Sequence, residues 1–296
     1  MSAAEVTTTP KAWLMATRPK TLAAAFIPVA VGTAVAFADG KHSWAAAIAA
    51  LIGAMLIQIG TNLANDYFDF KKGADTEDRL GPTRVVQAGL LSETAVRNAM
   101  ILTFFLSAMA GSYLVFVGGW PILVIGILSI LSGVAYTGGP FPLGYNGLGD
   151  VFVFIFFGII AVTGTYYVQA LEWSVDALIA SVPVGLLSVA ILIVNNYRDM
   201  DTDVLAGKRT LAVRIGRKAT KVQYALALLI PYLIVAGQAL TSKSAWVLLP
   251  LVSIPLAGIL FRDFITLDGR ALNPVLERTA KLLVVFGLLY TLGLTL

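Results

Sequence analysis

Residues 179–210 read "IASVPVGLLSVAILIVNNYRDMDTDVLAGKRT". Sixteen residues pass without a charge, and then Asp199, Asp201 and Asp203 fall within five positions, followed by Lys208 and Arg209. An apolar run of this kind, extended back to residue 175 across the single charge of Asp176, matches the roughly 20 residues a helix needs to cross a bilayer. The stretch therefore reads as a membrane span that ends in a dense mixture of acid and base.

The rest of the chain agrees with that class. Of its 296 residues 58% are hydrophobic and only 13% charged, against about 25% charged in soluble domains. Eight further apolar runs give nine expected spans, near 21–38, 44–64, 97–117, 120–136, 151–170, 175–194, 222–240, 245–261 and 280–296. The expected fold is all-α and polytopic. The chain has no cysteine, which excludes disulfides, thiolate-ligated metals and thiolate nucleophiles. Its one histidine, His42 in "ADGKHSW", reads as a polar residue at headgroup level. Residues 1–20 are polar and lack an apolar signal core, so the first span is expected to direct its own insertion.

Charge fixes the expected orientation, because Lys and Arg favour cytoplasmic loops. In a nine-span arrangement, nineteen of the 21 basic residues fall on one side, leaving Lys41 and Lys243 on the other. One miscounted span would scramble that asymmetry. The N-terminus is expected inside and the C-terminus outside, and the net charge of +4 is explained by topology rather than by a nucleic-acid partner.

The opening stretch has an earlier counterpart, "NLANDYFDFKKGADTEDRLGPTR", residues 62–84. Asn65-x-x-x-Asp69 recurs 130 residues later as Asn195-x-x-x-Asp199, with four spans between them. An even number of spans returns both motifs to the same face of the membrane. This is the pattern of a parallel internal repeat within one domain, 1–296, whose halves meet at 62–84 and 195–210. Residues three or four apart share a helix face. Asn65, Asp66 and Asp69 are thus expected together, as are Asn195, Asp199 and Asp203, with Asp201 pointing elsewhere. Asp75, Glu77 and Asp78 read equally as ligands or as a solvated acidic turn.

Clustered carboxylates repel by about 3 kcal/mol per pair at ~5 Å in an effective dielectric near 20, so they need a counter-charge. Magnesium binds one or two carboxylates and keeps positions open for phosphate oxygens, while the nearby Lys and Arg suit the remaining oxygens. Acid and base at a lipid boundary point to a metal–diphosphate site for a lipid-tailed substrate.

At these residues the chain resembles the UbiA superfamily of intramembrane prenyltransferases. Its two motifs are similar to that family's aspartate-rich pair, and the likeness covers nearly the whole chain. Asp199–Asp203 keeps the second motif intact. The first departs at Gly73, with Asp75 two residues on. The phrases "YTGGPFPLGYNGLGD" and "NNYRDMDTDVLAGKRTLAVRIGR" are most similar to the branch acting on 1,4-dihydroxy-2-naphthoate in menaquinone biosynthesis. Other branches carry Tyr-x-x-x-Lys where this chain has Tyr136 to Pro140, so its phosphate contacts must lie elsewhere.

The resemblance implies nine transmembrane helices around a central cavity, capped on the cytoplasmic side by the two Asp-rich loops, in the cell (inner) membrane. It implies transfer of a polyprenyl group from polyprenyl diphosphate to 1,4-dihydroxy-2-naphthoate with loss of carbon dioxide, giving demethylmenaquinone. The cofactor is Mg2+. Asp66, Asp69, Asp199 and Asp203 are the expected metal ligands, and Asp69, Asp199 and Asp203 the expected catalytic set. Asn62, Asn65 and Asn195 are expected to orient them or touch the diphosphate. Arg84, Lys208 and Arg209, and after them Lys71 and Arg198, are expected to bind phosphate oxygens. Tyr136 and Asp150 are placed near the aromatic acceptor. The aromatic run "VFVFIFFG" reads equally as a tail channel or as lipid-facing surface. Rival readings are another acceptor within the family (homogentisate, 4-hydroxybenzoate, a chlorophyllide or protohaem) and a secondary transporter.

Overall fold

The computed structural model describes residues 10–73, 80–241 and 244–296. Asp75, Glu77, Asp78 and Lys243 lie outside the described residues. Among those described every regular element is helical: α1 (Pro10–Thr17), α2 (Ala23–Ala38), α3 (Trp44–Lys71), α4 (Glu93–Gly118), α5 (Trp120–Ala135), α6 (Gly149–Ala170), α7 (Val175–Arg198), the short α8 (Met200–Leu205), α9 (Leu211–Ala239), α10 (Ala245–Thr266) and α11 (Asn273–Thr295). A residue at each boundary explains several of them. Ser43, Ser92, Ser174 and Thr210 each accept a hydrogen bond from the backbone N–H three residues ahead, satisfying a donor the helix cannot pair internally. Gly119, at φ +72°, breaks the chain between α4 and α5, a conformation that glycine adopts at little cost.

Each of the nine expected spans coincides with one of these helices. By length and composition six of them, α3, α4, α6, α7, α9 and α10, suffice to cross a membrane, and a seventh arises if α1 through Thr21 joins α2 across a 48° bend. The chain is thus an all-α, multi-pass membrane protein. The main differences lie at the ends that carry the motifs. α3 has 28 residues, about 42 Å at 1.5 Å per residue. It therefore outruns a hydrocarbon core of about 30 Å and carries the first motif on helix rather than loop. α9 begins eleven residues earlier than expected because it comprises two helical pieces joined across a kink at Gly216, whose φ of 78° and ψ of 168° are not helical.

α7 is the inner helix, with 67% of its apolar stretch buried against 22–39% for the other spans. It packs with α2, α6, α9 and α11 in the largest cluster of buried side chains, which includes Tyr224, Phe264, Phe286 and Tyr290. The tyrosine hydroxyls there find partners on neighbouring helices, Tyr224 with Thr279 and Tyr232 with Ser253, each at 2.8 Å. Apolar surroundings make an unpaired hydroxyl costly. A second cluster joins α1, α3 and α4 to the segment Val85–Leu91. His42 lies at a helix connection against the rings of Phe37 and Trp44.

α6 is not uniform, since Phe154–Ile160 is a π-helical turn. It passes α7 so closely that a Cβ on Gly158 would stand 2.6 Å from the Gly185 Cα. Replacing Gly158 by Val is expected to cost about 1–3 kcal/mol through overpacking, seen as a lower unfolding midpoint in detergent. Gly258→Ala, where nothing stands within 4 Å of the added methyl, is expected to leave the midpoint unchanged or raise it.

Candidate functional site

The ends of α3 and α7 that carry the two motifs line one pocket of about 1100 Å3. One end of it is polar, lined by Asn62, Asn65, Asp69, Arg84, Asn195, Arg198, Asp199, Asp203 and Lys208. Elsewhere the walls are uncharged and mostly apolar, including Leu114, Val115, Ile122, Phe152, Phe156, Phe157 and Ile160 with a few hydroxyl side chains such as Ser107 and Ser188. The aromatic run of α6 is therefore divided. Phe152, Phe156 and Phe157 face the pocket, whereas Val151 is 49% exposed on the outer surface.

Asp69 is buried, its carboxylate held from both sides. Arg84 Nη2 donates to Oδ2 at 2.6 Å and the Tyr145 hydroxyl donates to Oδ1 at 2.5 Å. The Lys208 ammonium stands 3.6 Å from Oδ1. In the other motif Arg198 donates to both oxygens of Asp199, at 2.7 and 2.6 Å, and also to Asn195 and Asn273. A buried charge is stable only when paired, so each motif supplies its acid together with its own guanidinium. Asn62 donates to the Thr17 carbonyl and the Thr21 hydroxyl, and the Asn65 side-chain oxygen accepts from Thr137. Asp199 caps α7, and the Asp203 N–H donates to its carbonyl at 2.7 Å. This keeps both carboxylates on the pocket although the helix breaks between them. Asp201 points away, exposed and paired with Arg217.

Four expected site residues are placed otherwise. Asp66 lies off the pocket lining. Its two oxygens accept the N–H groups of Val85 and Val86 at 3.1 Å, because it sits 100° around the helix from Asn65. Lys71, two residues past Asp69 and on the opposite face, is exposed and pairs with Glu93 at 3.1 Å. Arg209 is exposed and off the lining, and only its backbone N–H reaches inward, to the Tyr145 carbonyl at 2.8 Å. Asp150 is buried behind the pocket wall and accepts from Gln223 at 3.0 Å. Tyr136 does line the pocket, with its hydroxyl over Gly149. Among the described residues no three of His, Asp and Glu stand close enough to form a metal cage, so the expected four-carboxylate set is not assembled.

The structure adds residues that the sequence did not single out. Tyr145 bridges the motifs. Lys72, adjacent to the expected Lys71, turns inward and donates to the Thr137 carbonyl at 2.7 Å. Burial lowers its pKa, with Lys208 adding to that effect and Asp69 opposing it. Arg18, Lys20 and Asn273 also line the pocket. Arg18 and Lys20 were legible only as orientation signals.

The UbiA prenyltransferase family profile matches residues 25–292. The chain is 39% identical over 297 residues to 1,4-dihydroxy-2-naphthoate octaprenyltransferase of Escherichia coli, covering 97% of this chain and 96% of that one. The protein of the same name from Mycobacterium tuberculosis is 38% identical over 280 residues, covering 93% of this chain and 94% of that one. A solved UbiA homolog from Archaeoglobus fulgidus, bound to DMAPP and Mg2+, shares the fold at a TM-score of 0.65. It is 15% identical and covers 96% of this chain and 98% of that one.

The geometry of Asp66 yields a test that needs no substrate. Asp66→Ala leaves the Val85 and Val86 N–H groups without their carboxylate, at about 1–3 kcal/mol for each donor left unsatisfied. The variant is expected to melt earlier than the parent and to be cut faster by protease between residues 80 and 91.

Proposed function

The chain belongs to the UbiA prenyltransferase family, and we propose that it transfers a polyprenyl group from polyprenyl diphosphate to 1,4-dihydroxy-2-naphthoate. The observation that carries this reading is one continuous pocket, charged at one end and uncharged and mostly apolar along the rest. Such a pocket suits a diphosphate joined to a hydrocarbon tail.

The donor set fits magnesium. Asp69, Asp199 and Asp203 offer hard carboxylate oxygens on one pocket, and magnesium takes only one or two such ligands, keeping waters and phosphate oxygens for the rest. A cage of three carboxylates is not required. Bound magnesium supplies positive charge that stabilises the departing diphosphate. Asn65 and Asn195, engaged by Thr137 and Arg198, orient the motif ends. Arg84, Arg198 and Lys208, already beside the carboxylates, present N–H donors to phosphate oxygens. Charge held in place before the reaction contributes more than any other effect to many such steps. Asp66 serves the site by tying down the segment that carries Arg84.

The donor's C–O bond breaks and its electron pair leaves with the diphosphate. The aromatic ring supplies the pair for the new C–C bond. The carboxylate departs as carbon dioxide, and its bonding pair restores the ring, so this step consumes no oxidant or reductant and yields the quinol form, whose conversion to demethylmenaquinone is a separate two-electron oxidation. Phe152, Phe156, Phe157 and Ile160 keep water from the allylic cation and house the tail. Tyr136, at the junction of the polar and apolar walls, faces the acceptor, and Asp150 acts behind it rather than on the substrate.

In this reading nine helices cross the membrane around the pocket, with the motif ends as its cytoplasmic cap. The N-terminus is cytoplasmic and the C-terminus lies outside, in the cell (inner) membrane. The placement of both motifs on one pocket supports a single domain, 1–296, built from a parallel repeat.

Asp69→Ala or Asp199→Ala in folded protein is expected to lower prenyl transfer with magnesium by roughly 100-fold or more, and near-normal turnover in either variant overturns the site. With one prenyl diphosphate and a panel of aromatic acceptors, the naphthoate is expected to react fastest. A faster homogentisate or 4-hydroxybenzoate reaction reassigns the acceptor. Because the chain has no cysteine, single cysteines at Ala88 and Thr241 report orientation. A membrane-impermeant maleimide added to spheroplasts is expected to label only the Thr241→Cys protein.

A further inference from the structure

Tyr145 lies in the single 3-10 turn Gly144–Asn146 between α5 and α6, outside both aspartate motifs, yet it touches both. Its hydroxyl donates to Asp69 Oδ1 at 2.5 Å. Two ammonium groups flank its ring, Lys72 with its Nζ 5.0 Å from the centroid and Lys208 at 4.6 Å. Its backbone carbonyl accepts the Arg209 N–H at 2.8 Å. The end of α3, the turn before α6 and the turn after α8, more than 60 residues apart in sequence, thus meet on one residue.

We propose that Tyr145 is a positioning residue for the donor diphosphate, holding Asp69 with its hydroxyl and the Lys208 ammonium with its ring. The inference rests on the reading of this pocket as a diphosphate site. Asp69 has one oxygen tied to Arg84 and the other to Tyr145. Its rotamer is therefore fixed before any ligand arrives, while each oxygen keeps a further lone-pair direction. Lys208 ends a flexible four-carbon stem, whose freedom must be given up when it binds a phosphate. The ring face gives the ammonium a place to rest within 3.6 Å of Asp69, so much of that ordering is done in advance. Lys72 does not compete for the role. Its ammonium is committed to the Thr137 carbonyl and is absent from the pocket lining, whereas Lys208 is on it.

The two functions of the side chain separate by substitution. Tyr145→Phe removes the hydroxyl and keeps the ring, whereas Tyr145→Leu removes both. Groups that orient a metal ligand from behind typically change metal affinity 10- to 100-fold when lost. Calorimetric titration of the full-length protein in detergent, with magnesium and inorganic pyrophosphate as the probe, is expected to give a Kd raised about 10-fold in Tyr145→Phe. Tyr145→Leu is expected to raise it a further two- to five-fold or so. The apo melting temperature, recorded alongside, separates this from a merely structural role, which would lower melting in both variants without moving the Kd of the folded fraction. An unchanged Kd in Tyr145→Phe overturns the inference while leaving the diphosphate site standing. A parent protein that fails to bind magnesium pyrophosphate overturns both.

Discussion

A carboxylate at the inner end of a packed helix must be neutralised where it stands, and the arrangement around Asp69 follows from that requirement. Its side chain is almost wholly enclosed, and losing the partner of such a charge costs about 3–5 kcal/mol. Arg84, fifteen residues on, supplies the partner, and the segment from Arg84 onward lies back against α3. Asp66 then serves the return. By accepting the Val85 and Val86 N–H groups it fixes the segment that continues into Leu91 and the start of α4, and the buried side chains of that segment close the cluster with α1 and α3. The local fold of the first half is thus organised by two aspartates three residues apart, one facing the pocket and one facing the protein.

The second motif meets the same requirement with a shorter solution. Arg198 is adjacent to Asp199 and grips both of its oxygens, so no returning loop is needed. Instead the arginine reaches Asn273 at the start of α11, whose amide in turn donates to the Leu80 carbonyl. That chain of hydrogen bonds ties the end of α7 to the far end of the sequence and to the loop of the first motif. The two halves are alike in placing an Asn-x-x-x-Asp at the end of a long helix and different in how each acid is balanced. Two guanidiniums already aligned with two carboxylates form a charge-balanced surface on the pocket.

The helices were legible because an apolar run of about 20 residues has few other places to go, and the nine expected segments match helices to within a few residues except where α3, α9 and α11 run on, with six or seven of the helices long and apolar enough to cross a membrane. The pairing of the motifs was legible from spacing, since parity of spans sends both to one face. What spacing alone could not decide was which way a side chain at the margin of a helix face turns. Asp66 and Lys71 are one and two residues from pocket-facing neighbours, and 100° per residue moves each of them out of the pocket. Lys72, one step further, is also off the lining, although its ammonium folds back to the Thr137 carbonyl. Tyr145 lay inside a phrase that carried the family resemblance but was not singled out, because its partners are supplied by chain folding rather than by local sequence, and an aromatic residue in a Gly/Pro-rich turn has many ordinary explanations. Asp150 was found as an acid near the site but not as one lying behind the wall, a distinction that depends on the ring of Tyr136.

α6 shows how the polar and apolar ends of the pocket are built from one element. Its first turn lies under the Tyr136 hydroxyl, where glycine at 149 leaves room that a Cβ, 2.9 Å from that oxygen, would take. Further along, the π-turn Phe154–Ile160 admits one more residue per turn than an α-helix. Residues 152, 153, 156, 157 and 160 share one face of the helix, about 140° wide at 100° per residue, and that face stands on the pocket wall. The unusual turn would be unstable in isolation. It is held by the approach of Gly158 to Gly185, which brings α6 against the most buried helix of the protein. The aromatic wall and the second motif therefore share a support. α7 carries Asn195 and Asp199 at its end and, nearly three turns earlier, the glycine against which the aromatic wall is braced, so the spacing between charged end and hydrocarbon wall is set by a single rigid helix.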